Sequence, residues 1–142
     1  MKILLDSDIL LDVLAQRPPF FEASAQALNT VTQPKIEGYV SGHAITNIFY
    51  ILRRQTGSQK ARELLSVLLE RLQIASVTDS VIRDALKSSV SDFEDAVTVA
   101  AANAANVDVI VTRNVSDFVD SAVPAMLPKS FLTTLNESKA NE

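Results

Sequence analysis

A three-layer α/β/α sandwich around a central parallel sheet is the fold this chain predicts. Three observations carry that expectation. Short apolar runs with little polar alternation, such as Ile3-Leu4-Leu5 and the stretch 107–111, read as strands buried on both faces. Segments with helical spacing of apolar residues separate these runs, so strands and helices alternate. No linker, repeat or low-complexity segment interrupts the 142 residues, a length usual for one domain. Residues 1–136 are expected to form that domain, with 137–142 as a polar, frayed tail.

The elements follow in order. Ile3 to Leu5 is the first strand and ends on the polar Asp6. Residues 8–15 read as a helix stopped before Pro18-Pro19. A second helix spans Phe20 to Val31, with Pro19 at its first turn. Ile36 to Val40 is the next strand. Ser41 is a candidate N-cap for a helix through Arg54, and Gly57 closes the turn after it. Residues 58–72 carry apolar and charged residues at helical spacing. Ile74 to Val77 is a strand, and Asp79 to Leu86 a short helix. Ser91 to Asn106 has the clearest helical signal: Ser91 and Glu94 fit an S-x-x-E capping box, and Asn106 stands where a helix ends. Its six interior alanines, from Ala96 to Ala105, would let it lie close against a sheet. A strand follows at 107–111, a short one near Ala125 to Leu127, and Pro128 opens a last helix.

Composition removes several kinds of chemistry. With no cysteine and one histidine, disulfides, thiolate metal sites, cysteine nucleophiles and multi-histidine sites are excluded. The apolar stretch at the start is short and broken by Asp6, Asp8 and Asp12, so it does not read as a signal peptide. No apolar run approaches the roughly 18 residues of a membrane span. A cytoplasmic protein without membrane association is the expectation. The net charge of −4 argues against a generally basic nucleic-acid-binding face.

Acidic residues supply the positive signal. In an open α/β sheet, ligands bind beyond the carboxyl ends of the strands. Asp6 ends the first strand, and Thr112-Arg113-Asn114 ends the strand at 107–111, with Asp117 just beyond. The helix from 91 runs antiparallel to the strand after it, so its first turn, with Asp92 and Asp95, returns to the same edge. Three separate segments thus direct Asp6, Asp92, Asp95 and Asp117 to one crevice. Carboxylates so placed repel one another unless protonated or joined by a cation. An all-oxygen set favours Mg²⁺ or Mn²⁺ over zinc. Such an ion would also supply the positive field a phosphate needs.

The same residues resemble a known family. Leu5-Asp6-Ser7-Asp8-Ile9-Leu10-Leu11-Asp12 is similar to the D-[TS]-[ND]-x-[LIV]-[LIV]-x start of PIN domains of the kind found in VapC toxins. Asp92-Phe93-Glu94-Asp95-Ala96 matches their second acidic block. Val111-Thr112-Arg113-Asn114-Val115-Ser116-Asp117-Phe118 matches their closing T-x-[ND]-x-x-[DE]-F block. The resemblance implies a flavodoxin-like parallel sheet and a Mg²⁺- or Mn²⁺-dependent ribonuclease. It makes Asp6 and Asp95 metal ligands and has Asp117 complete the site, with Asp92 as a further acid. It also implies an RNA substrate, an antitoxin partner and a homodimer. One position departs from the pattern. The family usually has Glu six residues after a Ser at the end of strand two; here Ser41 is followed at that distance by Asn47. That leaves either a site relying on Asp92 or one with reduced catalysis.

Other residues carry weaker signals. Thr112 and Asn114 are candidates to orient an Asp or a metal-bound water, with Asn47 in support. Arg113 is the best-placed basic residue for substrate. Asp8 reads first as a helix cap, and Asp12 as solvated or in a structural contact. His43, one helical turn before Asn47, is more often structural. Arg53, Arg54, Lys60 and Arg62 read as a solvated basic face. Phe49, Tyr50 and Leu52 read as core or partner interface. Two other functions fit parts of the pattern. Asp6-Ser7-Asp8 resembles the nucleophile motif of haloacid-dehalogenase phosphatases, although the only lysine between 61 and 128 is Lys87 and the block 112–118 would have no role. A degenerate PIN domain that binds RNA or protein without cutting would account for Asn47.

Overall fold

The computed structural model describes residues 1–141. Among the described residues there are five strands: β1 (Lys2–Leu5), β2 (Glu37–Ser41), β3 (Leu72–Ala75), β4 (Val109–Val111) and β5 (Ala125–Met126). The helices are α1 (Ser7–Leu14), α2 (Phe21–Asn29), α3 (Gly42–Thr56), α4 (Ser58–Leu68), α5 (Asp79–Leu86), α6 (Phe93–Ala104) and α7 (Pro128–Ala140). The strands form one sheet in the order β3-β2-β1-β4-β5, with every neighbouring pair parallel. The chain builds outward from β1 to β3, then returns to the other side of β1 with β4. The order therefore reverses between β1 and β4, where a doubly wound sheet opens its ligand crevice.

Alternate residues of the central strands divide the core into two. Ile3, Leu5, Val40, Val109 and Val111 pack against α1 to α4 and Phe131 of α7. Leu4, Tyr39 and Ile110 pack on the opposite face against α5 and α6. Ala96, Ala101 and Ala102 are buried on α6, and their small side chains bring this helix close to the sheet. The three layers are those expected from the alternation of strands and helices.

Several boundaries differ from expectation, each for a local reason. The second helix stops at Asn29 and continues as a 3₁₀ turn over Thr30–Thr32, where the Thr30 hydroxyl donates to the Ala27 carbonyl at 2.7 Å. The expected strand 74–77 lies two residues earlier, because buried Leu72 pairs with Gly38 while Ile74 is half exposed on an edge strand. Ser41 ends β2 and precedes α3, but its hydroxyl bonds to His43 Nδ1 at 2.6 Å and makes no cap. The Ser91/Glu94 capping box does not form. Asp92 is the N-cap of α6, and its carboxylate accepts from Asp95 N–H at 2.9 Å. Asn106 does close this helix, with φ of 59° in the left-handed region that Asn tolerates. The last helix runs through Ala140, across most of the stretch expected to fray; Glu142 of that tail lies outside the described residues.

Candidate active site

The edge of the sheet at the reversal point collects the polar residues. Asp6 leaves β1 as the N-cap of α1, its Oδ1 accepting from Ser7 N–H at 2.9 Å and its backbone N–H donating to the Val111 carbonyl at 3.0 Å. The latter bond locks Asp6 to the end of β4. Thr112 continues β4 and is fully buried; its hydroxyl donates to Asp6 Oδ2 at 2.9 Å. The first turn of α6 brings Asp92 and Asp95 to the same edge. Asp117 sits in a 3₁₀ turn over Val115–Phe118, which buried Phe118 anchors in the core beneath α6.

Asp8, read as a helix cap, lies instead in the first turn of α1, whose N-cap is Asp6. Asp8 Oδ2 accepts from Arg113 N–H at 3.0 Å and from Asn114 Nδ2 at 3.1 Å, fixing the segment after β4 against the start of α1. Arg113, expected to face substrate, directs its guanidinium away to Asp12. Nε donates to Asp12 Oδ2 at 2.8 Å and Nη2 to Oδ1 at 3.2 Å. Asp12 is fully buried rather than solvated, and also accepts from the Ser24 hydroxyl at 2.9 Å. The Arg113 guanidinium lies 3.8 Å from the Phe20 ring centroid, a cation–π contact. Asp12 is thus the structural contact that one of its two readings anticipated.

Electrostatics identify the acids that share a field. Burial, followed by the charge of Asp8, pushes the Asp6 carboxyl up from 3.8 to about 7, against the hydrogen bonds from Thr112 and Ser7; Asp95 adds to the rise. Burial, then the charges of Asp92, Asp117, Glu94 and Asp8, push Asp95 up to about 6. Asp8 is also raised, chiefly by burial. Asp95 thus links the acids of this edge: it feels the charges of Asp92, Asp117 and Asp8, and its own charge acts on Asp6. Among the described residues no three acidic or imidazole side chains stand close enough to chelate one ion as they are. The donors are nonetheless carboxylate and hydroxyl oxygens carrying surplus negative charge. That set suits Mg²⁺, which keeps several waters and needs only one or two carboxylates.

Two further residues span the crevice. Asn47 on α3 donates from Nδ2 to Glu94 Oε1 on α6 at 2.7 Å. His43 bonds to Ser41 and stands 3.4 Å from the Thr98 hydroxyl of α6 through Nε2. Burial lowers its pKa, opposed by Glu94. The Glu94 contact was not foreseen, since a local capping pattern accounted for this residue. Arg53, Arg54, Lys60 and Arg62 are all exposed, as a solvated basic face requires, and Arg53 and Arg62 also lie over the rings of Tyr50 and Phe49.

Residues 2–116 match the family model of the PIN domain. The chain belongs to the PIN domain family. This membership sets aside the phosphatase alternative. No curated protein sequence matches the chain significantly. Solved structures of similar fold include a toxin–antitoxin complex from Klebsiella pneumoniae, at 22% identity and TM-score 0.68 over 89% of this chain and 97% of that one. VapBC2 from Rickettsia felis, bound to a DNA fragment from its promoter, aligns at 14% identity and TM-score 0.69 over 89% and 98%. VapC20 from Mycobacterium tuberculosis, a toxin cleaving the sarcin–ricin loop, aligns at 15% identity and TM-score 0.62 over 76% and 86%. At these identities the likeness is one of fold, and it shows the PIN domain here to be VapC-like in architecture.

Proposed function

We propose that this PIN domain is a Mg²⁺- or Mn²⁺-dependent endoribonuclease that hydrolyses RNA phosphodiester bonds, and that it is the toxin of a toxin–antitoxin pair. The observation that carries the reading is the excess of negative charge at the sheet reversal. Burial and like charge hold Asp6 at about 7 and Asp95 at about 6, and a divalent cation would relieve both. In this reading Asp6, Asp95 and Asp117 would hold the cation, one or two directly and the rest through its waters, and Asp92 is a further acid of the site. A bound Mg²⁺ or Mn²⁺ would neutralise part of the scissile phosphate's charge and lower the pKa of a water molecule.

The chain's own residues orient that chemistry. The Thr112 hydroxyl donates to Asp6 Oδ2 and Ser7 N–H to Oδ1, which together fix the orientation of that carboxylate at the end of β1. Asn114, tied to Asp8, fixes the segment after β4. Arg113 acts as a positioning residue through Asp12 rather than as a phosphate ligand. The negative overall charge does not oppose RNA binding at the site once the ion supplies a local positive field.

The antitoxin and the homodimer belong to the same proposal. Support for a partner comes from the VapBC and toxin–antitoxin assemblies among the similar structures. No helix is long and apolar enough to cross a membrane among the described residues, in keeping with a cytoplasmic toxin. The deciding experiment incubates the purified chain with labelled single-stranded RNA, in Mg²⁺ or Mn²⁺ and in EDTA. Cleavage in metal, lost in EDTA and in Asp95→Asn, is expected. RNA binding without metal-dependent cleavage would instead identify a degenerate PIN domain and overturn the proposal.

A further inference from the structure

The position six residues after Ser41 carries an amide where the family pattern carries an acid. That position is not without a carboxylate. Asn47 Nδ2 donates to Glu94 Oε1 at 2.7 Å, so the Glu94 carboxylate lies directly beside residue 47. We infer that Glu94, on α6, supplies the acid that residue 47 lacks, and that the amide of Asn47 holds it there. This rests on the metal-dependent reading given above.

Three features of the contact support the assignment. First, it joins opposite layers. The buried face of α3 (Ala44, Ile48 and Leu52) packs on one side of the sheet, and that of α6 on the other. The Asn47–Glu94 bond therefore reaches across the crevice instead of decorating one helix. Ser7, the residue after Asp6, lines the same pocket of about 300 Å³ as Asn47 and Glu94. Second, Glu94 precedes Asp95 in the first turn of α6, so it stands at the same edge of the sheet as the acids of the site. Third, only Oε1 of Glu94 accepts a hydrogen bond among the described residues, leaving Oε2 for a cation or its waters.

The chemistry explains why the two positions would change together. With Glu at both 47 and 94, two carboxylates would face each other at hydrogen-bond distance, a repulsive pair. With Asn at 47, the same spot holds one carboxylate and one donor. The bland alternative is that Glu94 is merely an acid in the first turn of a helix, favoured by the dipole. A dipole role does not require the contact with Asn47 and would not respond to a change at that residue.

The test compares the full-length wild type with Glu94→Gln, Asn47→Glu, the double variant carrying both changes, and Asp95→Asn. Mn²⁺ affinity is measured calorimetrically and by the loss of the free-ion EPR signal, with RNA cleavage in parallel and thermal melts to verify folding. Gln at 94 keeps the acceptor oxygen for Asn47 and removes only the charge. Glu94→Gln is expected to weaken Mn²⁺ binding by roughly tenfold or more, in the range seen when residues supporting a metal are removed. The double variant, which moves the acid back to 47, should recover most of the lost affinity. If Glu94→Gln binds Mn²⁺ like the wild type while Asp95→Asn does not bind it, the assignment of Glu94 fails and the metal-dependent reading survives. If Glu94→Gln weakens binding but the double variant gives no recovery, the exchange between positions 47 and 94 is refuted. If the wild type itself binds no Mn²⁺, both readings fall together.

Discussion

Replacing Arg113 with alanine should destabilise this protein far more than the loss of a surface arginine. Asp12 is fully buried, and three hydrogen bonds satisfy its carboxylate: two from Arg113, at 2.8 and 3.2 Å, and one from Ser24 at 2.9 Å. In Arg113→Ala the carboxylate remains buried with one hydroxyl partner. Breaking such a pair from one side costs about 3–5 kcal/mol, because an uncompensated charge stays inside. The lost stacking on Phe20 falls in the same direction, on the order of 1 kcal/mol. With a urea slope of about 2 kcal/mol per molar, a loss of about 3 kcal/mol lowers the unfolding midpoint by roughly 1.5 M. Removing both partners, as in Asp12→Asn with Arg113→Met, should cost less than Arg113→Ala alone, since no buried charge is left. Equilibrium urea unfolding of the wild type, Arg113→Ala and the double variant measures this. A shift in Arg113→Ala smaller than about 0.5 M, or a double variant less stable than Arg113→Ala, would refute the reasoning. The pair also bears on the site. Arg113 N–H holds Asp8 at 3.0 Å, so loosening the guanidinium frees the segment that presents Thr112 to Asp6.

Two further perturbations probe the site's charge and the packing beneath it. Asp6 titrates at about 7 when folded against 3.8 when exposed, so between these values the folded chain holds a proton that the unfolded chain has lost. The stability of the metal-free protein therefore falls as pH rises from about 4 to about 7, and Asp95, at about 6, acts in the same direction. Asp6→Asn removes the Asp6 part of this loss: its urea midpoint should exceed that of the wild type at pH 8 and approach it at pH 4. Equal midpoints at pH 8 would show that Asp6 bears no excess charge repulsion or burial cost. Separately, a Cβ on Gly38 would meet Val31 Cγ1 and, at 2.6 Å, Leu72 Cδ2, where β2 is paired with both β1 and β3. Gly38→Ala should cost about 1–3 kcal/mol by overpacking, read from thermal melts; an unchanged melting temperature would mean that both side chains move aside freely.

The parts of this molecule that were legible in its sequence are those whose cause is local. Ile3-Leu4-Leu5 and Val109-Ile110-Val111 read as buried parallel strands because both faces of each are covered, and the structure pairs them directly. The edge strand was misplaced for the converse reason: Gln73 and Ile74 are exposed in β3, so an apolar run no longer marks its position. Polar side chains failed more often, some toward a near neighbour, as Ser41 toward His43, and others toward a distant partner. Ser91/Glu94 and Asp92/Asp95 are overlapping capping patterns one residue apart. Local rules rank serine and aspartate almost equally as caps. The structure caps α6 with Asp92 and engages Glu94 with Asn47, a residue 47 positions earlier. Asp12 resembles any solvated acid one turn after Asp8; its burial follows from Arg113, 101 positions away. A carboxylate's role depends on which donor or charge reaches it, and that is settled only when the layers close. Thus helix and strand order could place Asp6, Asp95 and Asp117 at one edge. The same order could not reveal that Arg113 would be held by Asp12, or that an acid beside residue 47 would come from the opposite layer.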